Sequence, residues 1–297
     1  MDRSQLTDEL CRMLLRHGYA IKCVSKSCFD IVARGTRATV LLRILKDVNA
    51  LTPQGAEEMR RFSRMAKAVP VVIAESAGKP LEDGVLYLRA GIYTVSVRTF
   101  EEALKGKFPV LLSTPAGITC SLSGEALRAK REEGGLSRSD LSRRLGISPK
   151  MVDRYESDSS EVTVGKGKRL YDLFGEDVFS PVNLFDAPRD ERRLLSEKSP
   201  SELSDIAAKY AQLGFEVTEL RKAPFDMAAR DGRELILTDV GEKVNPEMHS
   251  LARLIDADNL LIFEGRRPKE DEVPAMAKDE FLELAQAKKL VRFLKKF

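Results

Sequence analysis

Cysteine, histidine and tryptophan are scarce in this chain. Its 297 residues include four cysteines, two histidines and no tryptophan. The cysteines show no Cys-x-x-Cys spacing, and two histidines are too few to complete a zinc site with them. Their positions are Cys11, Cys23, Cys28 and Cys120. We therefore expect no metal and no cofactor, and we expect reduced, mostly buried thiols.

Long hydrophobic runs are also missing. No apolar stretch approaches the roughly eighteen residues that a membrane helix needs. The first ten residues, MDRSQLTDEL, are charged and lack the apolar core of a signal peptide. The hydrophobic content of 43% and the charged content of 32% are ordinary for a globular protein. These features predict a cytoplasmic protein of two or three domains that has no membrane partner.

The net charge is only +3, which by itself does not indicate a nucleic-acid binder. Its distribution says more, because residues 124–171 contain eleven lysines and arginines against eight aspartates and glutamates. That segment alone therefore carries an excess of +3. A local positive excess of this kind marks the part of the chain that would meet a polyanion.

Residues 137–156, SRSDLSRRLGISPKMVDRYE, have the pattern of two short helices joined by a tight turn. Ser137 and Asp140 have capping-box spacing at the start of the first helix. Gly146 stands where the chain must reverse, since glycine enters the left-handed region at little cost. Ser148 then caps the second helix, and Pro149 takes its first position, where the missing N–H costs nothing. The inward-facing positions are Leu141, Leu145, Ile147, Val152 and Tyr155.

The longer run 127–156 resembles the helix-turn-helix of the Cro/lambda-repressor family. The helix, the glycine turn, the second helix and the closing Arg-Tyr-Glu match that family position by position. The resemblance implies that the second helix lies in the major groove of double-stranded DNA. The residues that would contact DNA are Arg138, Ser148, Pro149, Lys150, Asp153 and Arg154. The alternative is a plain helical hairpin.

The residues before this motif predict an α/β domain over 1–108. Its predicted elements are a helix at 5–17, strands at 19–24, 29–33 and 39–45, a helix at 53–68, strands at 69–74, 85–89 and 93–97, and a helix from 100. Proline, glycine, serine and threonine in 109–123 indicate a connector. The helical domain follows over 124–180. Three prolines and a charged run make 181–200 a second linker.

The last hundred residues repeat the first. Residues 18–34 align without gaps on 214–230 at a shift of 196, with six of seventeen positions identical. The identical pairs are Gly18/Gly214, Lys26/Lys222, Phe29/Phe225, Asp30/Asp226, Ala33/Ala229 and Arg34/Arg230. A second α/β lobe over 200–297 follows from an internal duplication, and chance similarity of two α/β segments is the alternative.

The order helix, strand, strand with aspartate, strand resembles the restriction-endonuclease-like nucleases, including archaeal Holliday-junction resolvases. In that family an aspartate and a Glu-x-Lys on the next strand bind Mg²⁺ and position the attacking water. Asp30 and Asp226 match the aspartate, but the lobes read Arg-Ile-Leu at 43–45 and Asp-Val-Gly at 239–241 in place of Glu-x-Lys. The resemblance therefore supports the fold and argues against the activity. We expect both aspartates to accept hairpin N–H groups.

A central helix-turn-helix with such flanks also resembles a group of archaeal transcriptional regulators. The predicted fold class is α/β plus all-α, with two related nuclease-like lobes flanking the helix-turn-helix. The predicted function is a homodimeric, sequence-specific DNA-binding regulator with no catalytic residues. Its lobes would serve dimerisation or effector sensing. The alternatives are a metal-dependent nuclease targeted by the helix-turn-helix, and a regulator that senses a small effector, which the sequence neither names nor excludes.

The C-terminal residues 284–297 form a basic amphipathic pattern. Such a helix could lie on a membrane or on DNA. We expect it instead to pack Leu284, Leu290 and Phe293 on its own domain, with its lysines in solvent.

Overall fold

A computed structural model of the chain describes residues 2–114, 117–158, 160–186, 203–232, 234–243, 245–265, 268 and 273–297. The chain divides into two compact units. One contains 1–72, 90–92 and 187–297, and the other contains 73–89 and 93–186. No helix in the described ranges is long and apolar enough to cross a membrane. Most of the predicted linker 181–200 lies outside the described residues.

The first lobe begins with a helix that three leucines anchor to the core. Its elements are α1 (Arg3–Arg16), β1 (Ala20–Cys23), β2 (Ile31–Arg34), β3 (Thr39–Asp47), α2 (Pro53–Met65) and β4 (Ala68–Ser76), and the unit boundary passes through β4. Asp2 and Gln5 cap α1 reciprocally. The predicted elements are present, but the helix expected over 53–68 ends at Met65, since Lys67 has a positive φ of 49°.

The second unit holds the helical motif and several strands. Its remaining elements are β5 (Val85–Arg89), β6 (Ile92–Val95), α3 (Val97–Leu104), β7 (Leu111–Thr114), β8 (Gly117–Cys120), α4 (Gly124–Glu133), α5 (Arg138–Leu145), α6 (Pro149–Glu156), β9 (Val162–Thr163) and α7 (Val164–Phe174). The predicted connector at 109–123 is wrong, because β7 and β8 pair antiparallel there. β7 also runs parallel to β5, with Leu111 opposite Val85, and that distant partner gives no local signal.

The second lobe repeats the element order of the first. Its elements are α8 (Asp205–Gln212), β10 (Glu216–Glu219), β11 (Met227–Asp231), β12 (Glu234–Val240), α9 (Pro246–Ile255), β13 (Asp258–Phe263), β14 (Ala275–Ala277), α10 (Lys278–Leu282) and α11 (Ala287–Leu294). The strand order is β10-β11-β12-β13-β14. The first three strands are antiparallel, and β12-β13 and β13-β14 are parallel.

Strand registers in the two lobes agree at the shift of 196 residues. Ala20 pairs with Arg34 in the first lobe, as Glu216 pairs with Arg230 in the second. The next pair of strands follows the same rule, with Ile31 opposite Leu42 and Met227 opposite Thr238. Equal registers over two strand pairs are what a duplication predicts.

The two lobes pack on each other within the first unit. The second helix of each lobe lies against the first hairpin of the other, α9 on β1 and β2, and α2 on β10 and β11. Phe62 of α2 lies between the duplicated phenylalanines, 5.4 Å from the Phe29 ring and 5.1 Å from the Phe225 ring. Aromatic contacts at these distances stabilise the packing beyond what the burial of their apolar area contributes.

A duplicated pair of arginines makes the packing reciprocal. Arg34 Nη1 donates to the carbonyl of Leu254 in the last turn of α9 at 2.9 Å, and its guanidinium also pairs with Asp256. Arg230 Nε donates to the carbonyl of Met65, the last residue of α2. Each cation therefore crosses to the negative end of the other lobe's helix dipole. The lobes form an internal pseudo-dimer.

The C-terminal basic helix packs on its own lobe, as predicted. Leu290 and Leu294 of α11 are buried in the core of the second lobe. Leu284 and Phe293 are partly buried against the same core. The lysines at 288 and 289 are exposed.

Candidate nucleic-acid interface

Local capping fixes both helices of the motif. The Ser137 hydroxyl accepts from the Asp140 N–H at 3.1 Å, and the Asp140 carboxylate accepts from the Ser137 N–H at 3.0 Å. The Ser148 hydroxyl accepts from the Met151 N–H at 3.2 Å at the start of α6. These bonds satisfy backbone donors that a helix start would otherwise leave open.

Two cations of α7 hold the turn between the motif helices. Lys166 Nζ donates to the Leu145 carbonyl at 2.7 Å and to the Gly146 carbonyl at 3.2 Å. Arg169 Nη1 donates to the same Leu145 carbonyl at 2.8 Å. Gly146 has a φ of 65°, and a Cβ there would lie 3.2 Å from Arg169 Nη1. The last carbonyl groups of α5 therefore accept hydrogen bonds from two cations, in addition to the left-handed turn at Gly146 that ends the helix.

Close backbone packing joins α4 to the end of α6. A Cβ on Gly124 would lie 2.5 Å from the Glu156 carbonyl oxygen and 2.8 Å from that of Tyr155. The Gly124 N–H donates to the Asp158 carboxylate at 2.7 Å. Only glycine allows this approach. The hydrophobic core of the helix-turn-helix contains Leu127, Leu141, Leu145, Val152, Tyr155 and Leu170.

A buried ion pair reinforces the same junction. Arg131 of α4 and Glu156 of α6 have side chains that are 8% and 3% exposed, and they are joined by two hydrogen bonds. Arg131 Nη1 also donates to the Leu136 carbonyl at 2.9 Å. Burial raises the pKa of Glu156, but hydrogen bonds from Arg131 and Arg138 outweigh it and the net shift is downward. A satisfied buried pair of this kind holds two helices in one orientation.

The structure places the six predicted contact residues as follows. Ser148, Pro149, Lys150, Asp153 and Arg154 are exposed along α6 and its cap. The side chain of Arg138 is 45% exposed and lies against them, pairing with Asp153 at 3.1 Å and with Glu156 at 3.1 Å. All six share one region, and within it Arg138 and Asp153 already pair with each other.

Asp30, the aspartate of the first lobe that matches the nuclease pattern, lies against two arginines. Asp30 accepts from the Ile44 N–H at 2.7 Å and from Arg43 Nη1 at 3.2 Å, and it also pairs with Arg3. The expected structural role of Asp30, accepting a hairpin N–H, matches this geometry. Two guanidinium groups on one carboxylate oxygen oppose a divalent cation.

The second lobe differs, because it keeps two carboxylates. Asp226 accepts from the Val240 N–H at 2.8 Å, as Asp30 does at the equivalent position. Asp239 lies beside it, and burial first, then repulsion from Asp226, raises the pKa of Asp239 to about 6. The first lobe therefore has one carboxylate held by two arginines, whereas the second lobe has two neighbouring carboxylates. Across the described ranges, no group of three or more His, Cys, Asp or Glu could hold a metal.

Matches to two known families agree with the nuclease-like first lobe and with the helix-turn-helix. Residues 3–109 match the PD-(D/E)XK superfamily domain. Residues 127–178 match a helix-turn-helix domain. No solved structure matches the chain.

Relatives match nearly the whole chain. A protein of Archaeoglobus fulgidus is 30% identical over 98% of this chain and 97% of its own length, and one of Thermoplasma volcanium is 31% identical over 82% and 80%. A Thermococcus gammatolerans protein is 27% identical over 99% and 96%. Each bears the name "Putative HTH-type transcriptional regulatory protein", in one case with a locus code added. The chain belongs to this archaeal family.

Within this family member, the sequence identified the exposed face of α6 but missed the groups that support it. In the sequence pattern Glu156 is only part of the closing Arg-Tyr-Glu, and the pattern does not single out its partner Arg131. Lys166 and Arg169, which hold the turn, lie about twenty residues beyond it. A charged residue at a buried helical position was the available signal for Arg131, since such residues are rarely buried unpaired.

Proposed function

We propose that this family member is a sequence-specific transcriptional regulator that places α6 in the major groove of double-stranded DNA. The observation that carries the proposal is the exposed polar face of α6. The helix pair that presents this face is held in place by its capping residues, by Lys166 and Arg169 at the turn, and by the buried ion pair of Arg131 and Glu156. A reading helix must be held in this way, because base contacts tolerate little displacement. The names of the relatives and the matched helix-turn-helix support the same conclusion.

Within this proposal, Lys150 and Arg154 contact base edges or adjacent phosphates, and the Ser148 hydroxyl and Pro149 approach the groove with them. Arg138 contacts a phosphate by exchanging Asp153 for the DNA backbone. Asp153 then accepts from cytosine or rejects sequences that present an acceptor. The ion pair between Arg138 and Asp153 is surface-exposed, so exchanging it costs little.

Selection of bound sequences from random DNA, followed by titration of Lys150→Ala and Arg154→Ala, tests this assignment. Each variant should lose about 1–3 kcal/mol of discrimination at its base, or weaken binding uniformly and lower the salt slope if it contacts phosphate. Lys289→Ala, at an exposed lysine of α11, is the matched control and should bind normally. Unchanged affinity and specificity in both α6 variants would end the assignment.

The working form in this proposal is a homodimer. One helix-turn-helix reads about half a site, and such proteins join two half-sites about one helical turn apart. The pairing of the lobes within one chain already covers the α2 and α9 faces, so a second copy has to pack on other surfaces. Light scattering should give two chains per palindromic site. A monomer at micromolar concentration, free and on DNA, would refute the dimer.

In the same proposal, neither lobe cleaves nucleic acid. Asp30 is neutralised by arginines, and Gly241 stands where a catalytic lysine would position water next to Asp226 and Asp239. The alternative, a nuclease targeted by the helix-turn-helix, has its support in that remaining carboxylate pair. Incubation with supercoiled, linear, single-stranded and four-way-junction DNA in Mg²⁺ or Mn²⁺ separates the two. Cutting that disappears in Asp226→Ala or Asp30→Ala would make the protein an enzyme.

A further inference from the structure

Two cysteines that are far from Cys-x-x-Cys spacing lie together in the first lobe. Cys11 on α1 and Cys23 at the end of β1 have sulfur atoms 3.4 Å apart, close enough for one thiol to hydrogen-bond to the other. Cys23 is exposed and Cys11 is partly exposed. The prediction of mostly buried thiols is therefore wrong for this pair. α1 packs directly on β1, which brings the two positions together.

The other two cysteines provide a contrast within the same chain. Cys28 and Cys120 are buried. Burial raises the pKa of Cys28 to about 12, and burial also raises the pKa of Cys120. A buried thiol with a raised pKa is a poor nucleophile, because the thiolate is the reactive form.

The paired thiols share their protons unequally. The hydrogen bond from Cys11, helped by Lys22 and opposed by burial, Asp8 and Asp30, lowers the pKa of Cys23 to about 7. The same hydrogen bond raises the pKa of Cys11, which keeps its proton. Near neutral pH the pair therefore presents an exposed thiol that is partly ionised beside a thiol that stays protonated.

We propose that Cys11 and Cys23 are a redox-active dithiol that a hydroperoxide converts into an intramolecular disulfide. A disulfide has an S–S length of about 2.05 Å, so the two sulfurs must approach by about 1.4 Å. Both side chains reach solvent, so rotation about their Cα–Cβ bonds supplies this approach without opening the core.

The chemistry balances in two steps. The Cys23 thiolate attacks one oxygen of hydrogen peroxide, the O–O bond breaks, and a sulfenic acid and hydroxide form. Cys11 then attacks the Cys23 sulfur, an S–S bond forms, and the hydroxyl leaves with the Cys11 proton as water. Two thiols and one peroxide become one disulfide and two waters, once the hydroxide takes up the proton that Cys23 released. A small dithiol reverses the reaction.

The bond would connect α1 covalently to the strand that leads into the contact with the second lobe. Ser25, two residues beyond Cys23, donates its hydroxyl to Glu247 of α9 at 2.9 Å. A cross-link also lowers the entropy of the unfolded chain. The oxidised protein should therefore unfold at a higher temperature than the reduced protein.

The test treats the reduced full-length protein with stoichiometric hydrogen peroxide and then alkylates the remaining thiols. Two of the four thiols should become unreactive, with a mass loss of two hydrogens, and peptide mapping should join the peptides of Cys11 and Cys23. Reduction by dithiothreitol should restore four thiols. Denatured protein oxidised in the same way should give mixed pairings, since the selectivity comes from the fold.

Single substitutions separate the two steps. Cys11→Ser should stop at the sulfenic acid of Cys23, which a 1,3-dione probe traps, and Cys23→Ser should lose the fast reaction. Both positions reach solvent, so serine should be tolerated. Four unreacted thiols after peroxide, a disulfide between two chains, or a bond that includes Cys28 or Cys120 would each overturn the proposal.

Discussion

Arg131 and Glu156 form a buried ion pair that joins α4 to the last residue of α6. The pair lies behind the reading face, so its geometry sets the direction of α6 without touching DNA. Arg138 extends it to the surface by bonding to the same Glu156 carboxylate at 3.1 Å. A small network therefore links the core of the helix-turn-helix to a residue proposed to contact phosphate.

Neutralising one member of this pair should destabilise the motif. Glu156→Gln keeps the shape of the side chain but leaves buried Arg131 with only the more exposed Glu132 as a carboxylate partner, at a cost of about 3 kcal/mol. Hydrogen exchange of the α4–α6 amides in the full chain measures this locally. The control is Glu101→Gln, at a half-exposed glutamate that pairs with Lys105, where the change should stay within about 0.5 kcal/mol. Equal protection in both variants would contradict the prediction.

Two glycines of the same unit should respond oppositely to alanine. A Cβ at Gly124 meets only backbone atoms of Tyr155 and Glu156, which cannot swing aside, so Gly124→Ala should cost about 1–3 kcal/mol. Gly165 lies in α7 with nothing within 4 Å of a Cβ, so Gly165→Ala should gain about 0.5–1 kcal/mol of helix propensity. Thermal unfolding of both variants measures the contrast, and shifts of the same sign would refute it.

The reciprocal arginines should stabilise the pairing of the lobes. Arg34→Ala removes a charged hydrogen bond to the end of α9, and Arg230→Ala removes its counterpart at the end of α2. Each loss should cost about 1 kcal/mol, since both side chains are partly exposed. Denaturation midpoints of the two variants provide the measurement. Arg37→Ala, at an exposed arginine near β2, should leave the midpoint unchanged, and an equal shift there would show a general charge effect.

Features that depend on neighbours in sequence could be predicted, and features that depend on distant partners could not. The start of α6 at Pro149 and the glycine turn at Gly146 were predicted because capping and left-handed geometry leave local signatures. β7 was missed because its partner β5 lies about twenty-five residues earlier, and a Ser/Thr-rich strand resembles a connector.

In the lobes and the candidate sites, too, contacts between distant positions could not be predicted. The duplication was visible as identical residues, but the packing of Arg34 on α9 joins positions 220 residues apart. The Cys11–Cys23 contact required knowing which face of α1 meets β1. The carboxylate pair of the second lobe stood in the sequence at 226 and 239, yet its protonation depends on burial, which only the folded structure supplies.

That carboxylate pair should make the second lobe sensitive to pH. The pKa of Asp239 is about 6 in the folded chain, against about 3.9 unfolded, so the folded state binds its proton more tightly. The free energy of unfolding should therefore fall as the pH rises from about 4 to about 6 and remain lowered above that. Asp239→Asn cannot ionise and escapes this loss. After allowing for solvent screening, we expect it to exceed the parent stability by about 1 kcal/mol at pH 7.

Urea titrations of both proteins from pH 3 to pH 7 measure this difference, which should shrink toward zero near pH 3, where Asp239 is largely protonated in both the folded and the unfolded state. Glu283→Gln, at an exposed glutamate of the same lobe, is the control and should follow the parent at every pH. A constant offset between Asp239→Asn and the parent would mean that the substitution changes packing rather than titration. An offset that grows as the pH rises is the expected result, and it would report the raised pKa of Asp239, which burial and then repulsion from Asp226 produce.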